Sequence, residues 1–274
     1  MISIENITAG YGKNIVLKNV SANVRQGEFI GLIGPNGSGK TTLLRVLSGV
    51  LIPTDGKIMF AGKNLRKISR RTLARSMACL SQDICLDLSF TVRQIALMGR
   101  YAHIPATASQ TAADLQIADE AMQRADVAHL SERLITEISG GERQRALIAM
   151  CLAQQPQVLL LDEPTNHLDV GHQLSVLDLI KKLNHQTNMT VVAVFHDLNL
   201  ASEYCDKLIV LDNGQIEAAG SPQDVLTSDM IAKVYRTKIF TEKNPVSQKP
   251  HIILAAGMNN PINAKKPSSE KDGF

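Results

Sequence analysis

The sequence predicts an α/β fold with a mostly parallel core sheet, and three observations carry that prediction. A glycine-rich segment at 34–39 separates a strand-like run at 28–33 from a run with helical spacing that begins at Lys40. Residues 158–161 and 190–195 are continuous apolar runs of strand length, the pattern of strands buried on both faces of a sheet. Between those two runs, residues 171–183 place apolar side chains at helical spacing.

The elements follow in order. Short apolar runs separated by the turn signals Ala9-Gly10-Tyr11-Gly12 and Gln26-Gly27 read as strands near 2–8, 15–24 and 28–33. Leu43, Leu44, Val46 and Leu47 recur at helical spacing before Gly49, and Pro53-Thr54-Asp55-Gly56 marks a turn. Residues 77–82 read as another short strand, and Thr91-Val92-Arg93-Gln94 has the form of a capping box opening a helix. The stretch 91–137, broken inside only by Pro105, predicts a helical subdomain inserted into the α/β part. Asp212-Asn213-Gly214-Gln215 reads as a hairpin turn, and Ser221-Pro222 as the start of a helix. From about 244 the texture changes: Pro245, Pro250, Pro261 and Pro267 fall within the last 31 residues, which predicts a loosely packed or disordered tail.

Composition sets bounds on function. The 274 residues carry a formal charge of +3, 44% hydrophobic and 20% charged side chains, enough apolar material for a sizeable core. No apolar run approaches the roughly 18 residues of a membrane helix, and the first residues, with Glu5, lack a secretion-signal pattern, so a cytosolic chain is expected. A charge of +3, no Trp and 4% aromatics argue against nucleic acid as a partner. Cys79, Cys85, Cys151 and Cys205 form no C-x-x-C pair and do not cluster with the histidines, so buried reduced thiols are expected rather than a metal or disulfide framework.

Gly34-Pro35-Asn36-Gly37-Ser38-Gly39-Lys40-Thr41 fits G-x-x-x-x-G-K-[ST] in the strand-to-helix context that motif requires. Its glycines let successive backbone N–H groups approach phosphate oxygens, and the helix from Lys40 adds its positive end. Lys40 brings a mobile charge for the β and γ phosphates, and the Thr41 hydroxyl, with Thr42 beside it, suits magnesium and phosphate. Downstream, Asp162-Glu163 follow the apolar run 158–161, placing two carboxylates where open α/β sheets bind ligands. The first suits magnesium and the second an attacking water. A guanine-reading Asn-Lys-x-Asp is absent, so ATP is the expected nucleotide.

Ile138-Ser139-Gly140-Gly141-Glu142-Arg143-Gln144 resembles the signature L-S-G-G-Q-x-[QR] of the ATP-binding cassette (ABC) family, with Ile for Leu and Glu142 for the usual Gln. The rest of the cassette pattern follows in the family's order. Tyr11 matches the aromatic that stacks on adenine, and Gln82, 42 residues after Lys40, matches the glutamine that touches magnesium and water. Asn166-His167-Leu168-Asp169 matches the D-loop, and His196 the switch histidine that contacts the γ-phosphate. The resemblance covers about residues 2–236. It implies a P-loop NTPase cassette with an α/β core, an antiparallel β part and a helical subdomain near 87–150, followed by an extension over 237–274. It also implies a head-to-tail homodimer in which each ATP lies between one subunit's phosphate loop and the other's Ser139-Gly140-Gly141.

One cassette without membrane helices resembles the separate ATPase subunits that dock on integral-membrane permeases at the cytoplasmic face of the inner membrane. Such permeases are served indirectly by a periplasmic or surface substrate-binding protein. The run Thr91-Val92-Arg93-Gln94-Ile95-Ala96-Leu97-Met98-Gly99-Arg100-Tyr101-Ala102-His103 and the phrases Asp169-Val170-Gly171-His172-Gln173 and Phe195-His196-Asp197-Leu198-Asn199-Leu200-Ala201 look like ATPases of the importer class for ferric siderophores, haem and cobalamin. Ferric siderophore ranks first, haem second and cobalamin third. A divalent-metal importer and a soluble switch protein remain as rivals, the first disfavoured by Gly99-Arg100-Tyr101 and the second by the single cassette and small charge. For His103 an interface or capping role is expected over metal binding.

Overall fold

The computed structural model describes residues 1–81, 89–105 and 107–253. The chain opens with two long strands, β1 (Ile2–Tyr11) and β2 (Asn14–Val24), joined by a tight turn, then β3 (Phe29–Ile33) leads into α1 (Lys40–Leu47). Next come β4 (Asp55–Phe60), β5 (Lys63–Asn64), α2 (Arg70–Ser76) and β6 (Met77–Leu80). A helical stretch follows, with α3 (Val92–Met98), α4 (Ala112–Arg124) and α5 (Gly140–Ala153). The chain then alternates through β7 (Val158–Asp162), α6 (Val170–Thr187), β8 (Thr190–Val194) and α7 (Leu198–Tyr204). It closes with β9 (Lys207–Asp212), β10 (Gln215–Gly220), α8 (Pro222–Val225), α9 (Ser228–Tyr235), β11 (Phe240–Lys243) and β12 (Pro250–Ile253).

Among the described residues the strands form three sheets. The central one has the order β10-β9-β3-β8-β7-β6 and is parallel except for the β9–β10 hairpin. A second, antiparallel sheet has the order β2-β1-β4-β5, and β11 pairs with β12 alone. Strands β3, β7 and β8 are buried at every position, which is why their sequences are apolar apart from Thr190 at the start of β8 and Asp162 at the end of β7. Their alternate side chains feed two cores. Ile30, Leu32, Leu160 and Val192 face α1 and the antiparallel sheet, whereas Phe29, Ile33, Leu159 and Val191 face α5 and α6. The sheet is thereby fixed between two layers, and its carboxyl edge is the place where the glycine-rich loop emerges.

The sequence expectations hold for most elements, with longer strands at the N-terminus than the turn signals imply. The capping box at Thr91 is formed in full with Gln94, and a second at Thr111 with Asp114 opens α4. The strand expected at 77–82 runs over Met77–Leu80, and its last position lies outside the described residues. Two expectations need correction. Residues 244–253 are ordered: Pro250 starts β12, and Ile252 is 7% exposed in the main core. Proline at a strand's first residue costs no ladder hydrogen bond, so proline density misreads this segment. Cys151 and Cys205 are buried, Cys151 with its thiol pushed up to about 12 by that burial, but Cys79 on the edge strand β6 is exposed. Cys85 lies outside the described residues, as do 254–274. No helix among the described residues is long and apolar enough to cross a membrane.

The run around Gly99-Arg100-Tyr101 divides by burial. Arg100 is 5% exposed and donates to Asp114 Oδ1 (3.0 Å), the Ala153 carbonyl (2.7 Å) and Gln155 Oε1 (3.1 Å), tying α4 to the end of α5. Tyr101 beside it points to solvent at 77% exposure. His103 Nε2 lies 3.0 Å from the Gln154 carbonyl, so it caps the C-terminus of α5.

Candidate functional site

Residues 34–39 join the end of β3 to the start of α1, where the first amides of a helix have no intrahelical partners. Gly34 sits at φ +143°, and a Cβ there would stand 2.0 Å from the Leu211 carbonyl oxygen, so a side chain has neither the backbone nor the room. Lys40 Nζ donates to the carbonyls of Gly34 (2.8 Å) and Pro35 (2.9 Å), folding the loop around its own ammonium. Burial lowers the Lys40 pKa, opposed by the nearby Glu163 and Asp162 carboxylates. The Ser38 hydroxyl is buried and unpartnered among the described residues, a polar atom left over by folding in the middle of the loop.

Three further side chains converge on this loop from neighbouring strands. Thr41 Oγ1 donates to Asp162 Oδ1 (3.2 Å) at the end of β7, next to the 7% exposed Thr42 on α1. Burial raises the Asp162 pKa, and the Thr41 hydroxyl pulls it back. Glu163 follows at φ +54°, a left-handed backbone rare for a residue with a side chain. Its Oε1 pairs with His196 Nε2 just beyond β8, and its Oε2 accepts from Asn166 Nδ2 (3.0 Å). At the outer rim Tyr11 is 43% exposed, its hydroxyl accepting from Arg45 Nη1 (2.9 Å). Gln82 lies outside the described residues.

A second group forms elsewhere on the chain. Ser139 caps α5 through a full capping box: its hydroxyl accepts from the Glu142 amide (3.3 Å), and Glu142 Oε2 accepts from the Ser139 N–H and hydroxyl (2.8 Å each). Those two bonds hold the Glu142 carboxyl below its usual range. Glu142 thus does structural work at the N-terminus of α5, where a carboxylate also matches the helix dipole. Asp169 caps α6, accepting from the His172 amide and from His172 Nδ1 (2.8 Å each). The His172 ring lies so close to Gly141 that a Cβ there would come within 2.1 Å of its Cδ2. Ser139, Gly141, Glu142, Asp169 and His172 line one open cleft of about 490 Å³, which Gly140 adjoins on α5 and which no residue of the phosphate loop lines.

The structure therefore brings together Lys40, Thr41, Asp162, Glu163 and His196, and separately Ser139, Gly140, Gly141 and Asp169. Sequence reasoning missed Asn166 as a partner of Glu163, His172 as the wall behind Gly141, and Tyr235, which lines one cavity with His196. Burial pushes the Tyr235 phenol up to about 12. The position of Asn166 in the D-loop match was a usable signal; for Tyr235 the sequence held none.

Comparison with known proteins agrees with this arrangement. The ABC transporter family matches residues 17–166, more than half of the chain. The cobalamin import ATP-binding protein BtuD of Halobacterium salinarum is 42% identical over 232 residues, 85% of this chain, and the chain spans only 58% of that relative's length. The ferric enterobactin transport ATP-binding protein FepC of Escherichia coli is 37% identical over 249 residues, 91% of this chain and 92% of its own length. Among solved structures, an ABC transporter assigned to the metal-chelate type, in an inward-facing conformation, superposes with a TM-score of 0.81 at 30% identity, covering 92% of this chain and 96% of that one. With its phosphate loop, strand-end carboxylates and capped Ser-Gly-Gly helix in place on this fold, the chain belongs to the ABC transporter family and is built as an ATP-binding cassette.

Proposed function

We propose that the chain is the ATP-hydrolysing subunit of an ABC importer, powering uptake of a ferric siderophore across the cytoplasmic membrane. The observation that carries the ATPase reading is the meeting of Lys40, Thr41, Asp162, Glu163 and His196 at the carboxyl edge of the parallel sheet. In this reading the loop amides and Lys40 hold the ATP phosphates, and Tyr11 stacks on the adenine. A hard oxygen pair, the Thr41 hydroxyl and the Asp162 carboxylate at 3.2 Å, fits Mg²⁺, with Gln82 as a further ligand. Bound magnesium neutralises charge on the β and γ phosphates.

Glu163 takes the proton of the attacking water as its oxygen bonds to the γ-phosphorus, and the bond to the β-bridging oxygen breaks to release ADP. Asn166 and His196 hold the two Glu163 oxygens, and His196 then faces the γ-phosphate. Ser139, Gly140, Gly141 and Asp169 close over a second chain's nucleotide in a head-to-tail homodimer. Residues 1–236 form the cassette and 237–274 an extension. The subunit works peripherally on the cytoplasmic face of the membrane, docked on permease subunits that receive cargo from a separate binding protein.

The cargo reading is supported by FepC, a relative covered nearly end to end and named for ferric enterobactin transport. A cobalamin importer is the second reading, favoured by the higher identity to BtuD; haem is a third. Glu163→Gln is expected to cut ATP turnover by about 10²–10⁴-fold while ATP binding persists. Uptake of labelled ferric siderophore, cobalamin and haem by cells carrying wild type or this variant identifies the cargo as the one whose uptake is lost. Wild-type turnover in the variant removes Glu163 as the base. If all three uptakes are unchanged, the importer assignment fails and co-purification with membranes or ribosomes becomes the next measurement.

A further inference from the structure

The phrase Phe195-His196-Asp197-Leu198-Asn199-Leu200-Ala201 holds more polar groups than the proposed chemistry uses. Asp197 caps α7, accepting from the amides of Asn199 (2.7 Å) and Leu200 (3.1 Å), so the seven-residue helix starts two residues after His196. A helix that short is not stable on its own and takes its position from what grips it. Here the grip is the C-terminal hairpin. Asn199 Nδ2 donates to the Ile252 carbonyl (3.2 Å) while its Oδ1 accepts from the Ile252 N–H (2.7 Å), so one side-chain amide pairs both backbone groups of one residue on β12.

The same contact continues along the helix. The fully buried Ser202 donates to the Pro250 carbonyl (2.6 Å). Glu203 Oε1 accepts from Asn244 Nδ2 (2.9 Å) and Ser247 Oγ (2.7 Å), and Lys249 Nζ donates to the Glu203 carbonyl. From its first turn to its last, α7 is bonded to β12 and the turn before it. That hairpin is itself anchored: the hydroxyls of Thr241 and Ser228 lie 3.0 Å apart, and Ile239 and Ile252 enter the core beside Ile231 and Val234 of α9. One C-terminal unit thus grips the helix that follows His196, and α9 and β12 close with it a cavity of about 370 Å³ lined by His196, Asn199, Tyr235 and Ile252.

The geometry points to Asn199 as a positioning residue for His196, acting through α7 with the hairpin β11–β12 as its splint. This rests on the role given to His196 above. Asn199 bonds to the hairpin backbone and not to the phosphate loop, so its loss is felt at the step His196 serves and not in nucleotide binding. The test is steady-state ATP hydrolysis by the full-length chain and its Asn199→Ala, Ser202→Ala and His196→Ala variants over a range of ATP concentrations. Asn199→Ala is expected to lower kcat about tenfold with KM for ATP within about twofold of wild type, the mark of lost alignment rather than lost binding. Ser202→Ala removes one hydrogen bond and no bulk, is expected to lower kcat about threefold with the same KM, and carries the test if Asn199→Ala does not fold.

A kcat within about twofold of wild type in the variants overturns the proposal, and so does a joint change of kcat and KM, which marks general structural damage. His196→Ala separates the two readings. Full turnover in that variant overturns the role of His196 itself, whereas loss there with normal Asn199→Ala turnover overturns only the splint.

Discussion

Glu163 adopts φ +54°, a backbone that costs a residue with a Cβ about 1–2 kcal/mol, and the return is that its carboxylate turns back between His196 and Asn166 instead of leaving β7 along the strand. The second group of residues shows a related constraint. The half-exposed His172 can turn away from Gly141 only by giving up its Nδ1 bond to Asp169, so a side chain at Gly141 competes with that bond. Gly141→Ala is therefore expected to destabilise the fold by at most about 1 kcal/mol, the worth of the exposed His172–Asp169 pair it displaces. The double variant Gly141→Ala, His172→Ala is expected to recover most of that loss. Urea denaturation of both measures it, and failure of the second change to relieve the first shows that backbone geometry, not the imidazole, excludes the side chain.

Arg100 joins α4 to α5 through its buried pair with Asp114 and its bond to the Ala153 carbonyl, and the Arg100–Asp114 pair gives the helical stretch a pH-dependent stability. The Thr111 hydroxyl and amide, then the Arg100 guanidinium, hold the Asp114 carboxyl down to about 2. An unfolded Asp titrates near 3.9, so the contribution is complete above about pH 4 and is lost as pH falls toward 2. Asp114→Asn is expected to be less stable than wild type at pH 7, with the gap shrinking steadily below pH 4; a gap independent of pH denies the ion pair this role. The start of α3 was legible because the Thr91 to Gln94 spacing of its capping box is local. The strands β3, β7 and β8 were legible because burial on both faces leaves an uninterrupted apolar run. The hairpin β11–β12 was not, since Asn199, Ser202 and Glu203 that hold it lie some 50 residues upstream and its prolines read locally as breaks. The phosphate loop, by contrast, is contiguous and could be read directly.

At the scale of the molecule, two sets of residues that the ABC pattern assigns to one nucleotide line different places on one chain. Lys40, Asp162, Glu163 and His196 stand at the carboxyl edge of the central sheet, while Ser139, Gly141 and Asp169 line a different cleft at the starts of α5 and α6. In the head-to-tail homodimer proposed above, each chain offers two half-sites and two chains complete both at once. That arrangement predicts complementation. Lys40→Ala disables the phosphate loop but leaves Ser139 and Gly140 intact; Gly140→Asp places a carboxylate at the capped helix start but leaves the loop intact. Each variant alone is expected to retain no tightly held ATP when a Glu163→Gln background blocks hydrolysis. In a one-to-one mixture, half the dimers pair unlike chains and each holds one intact composite site, so about a quarter of the wild-type number of tight sites returns. Filter binding of labelled ATP after dilution counts them. A mixture with no more retained ATP than the separate variants shows that the two groups do not meet across a dimer, and the head-to-tail assembly would then have to be abandoned.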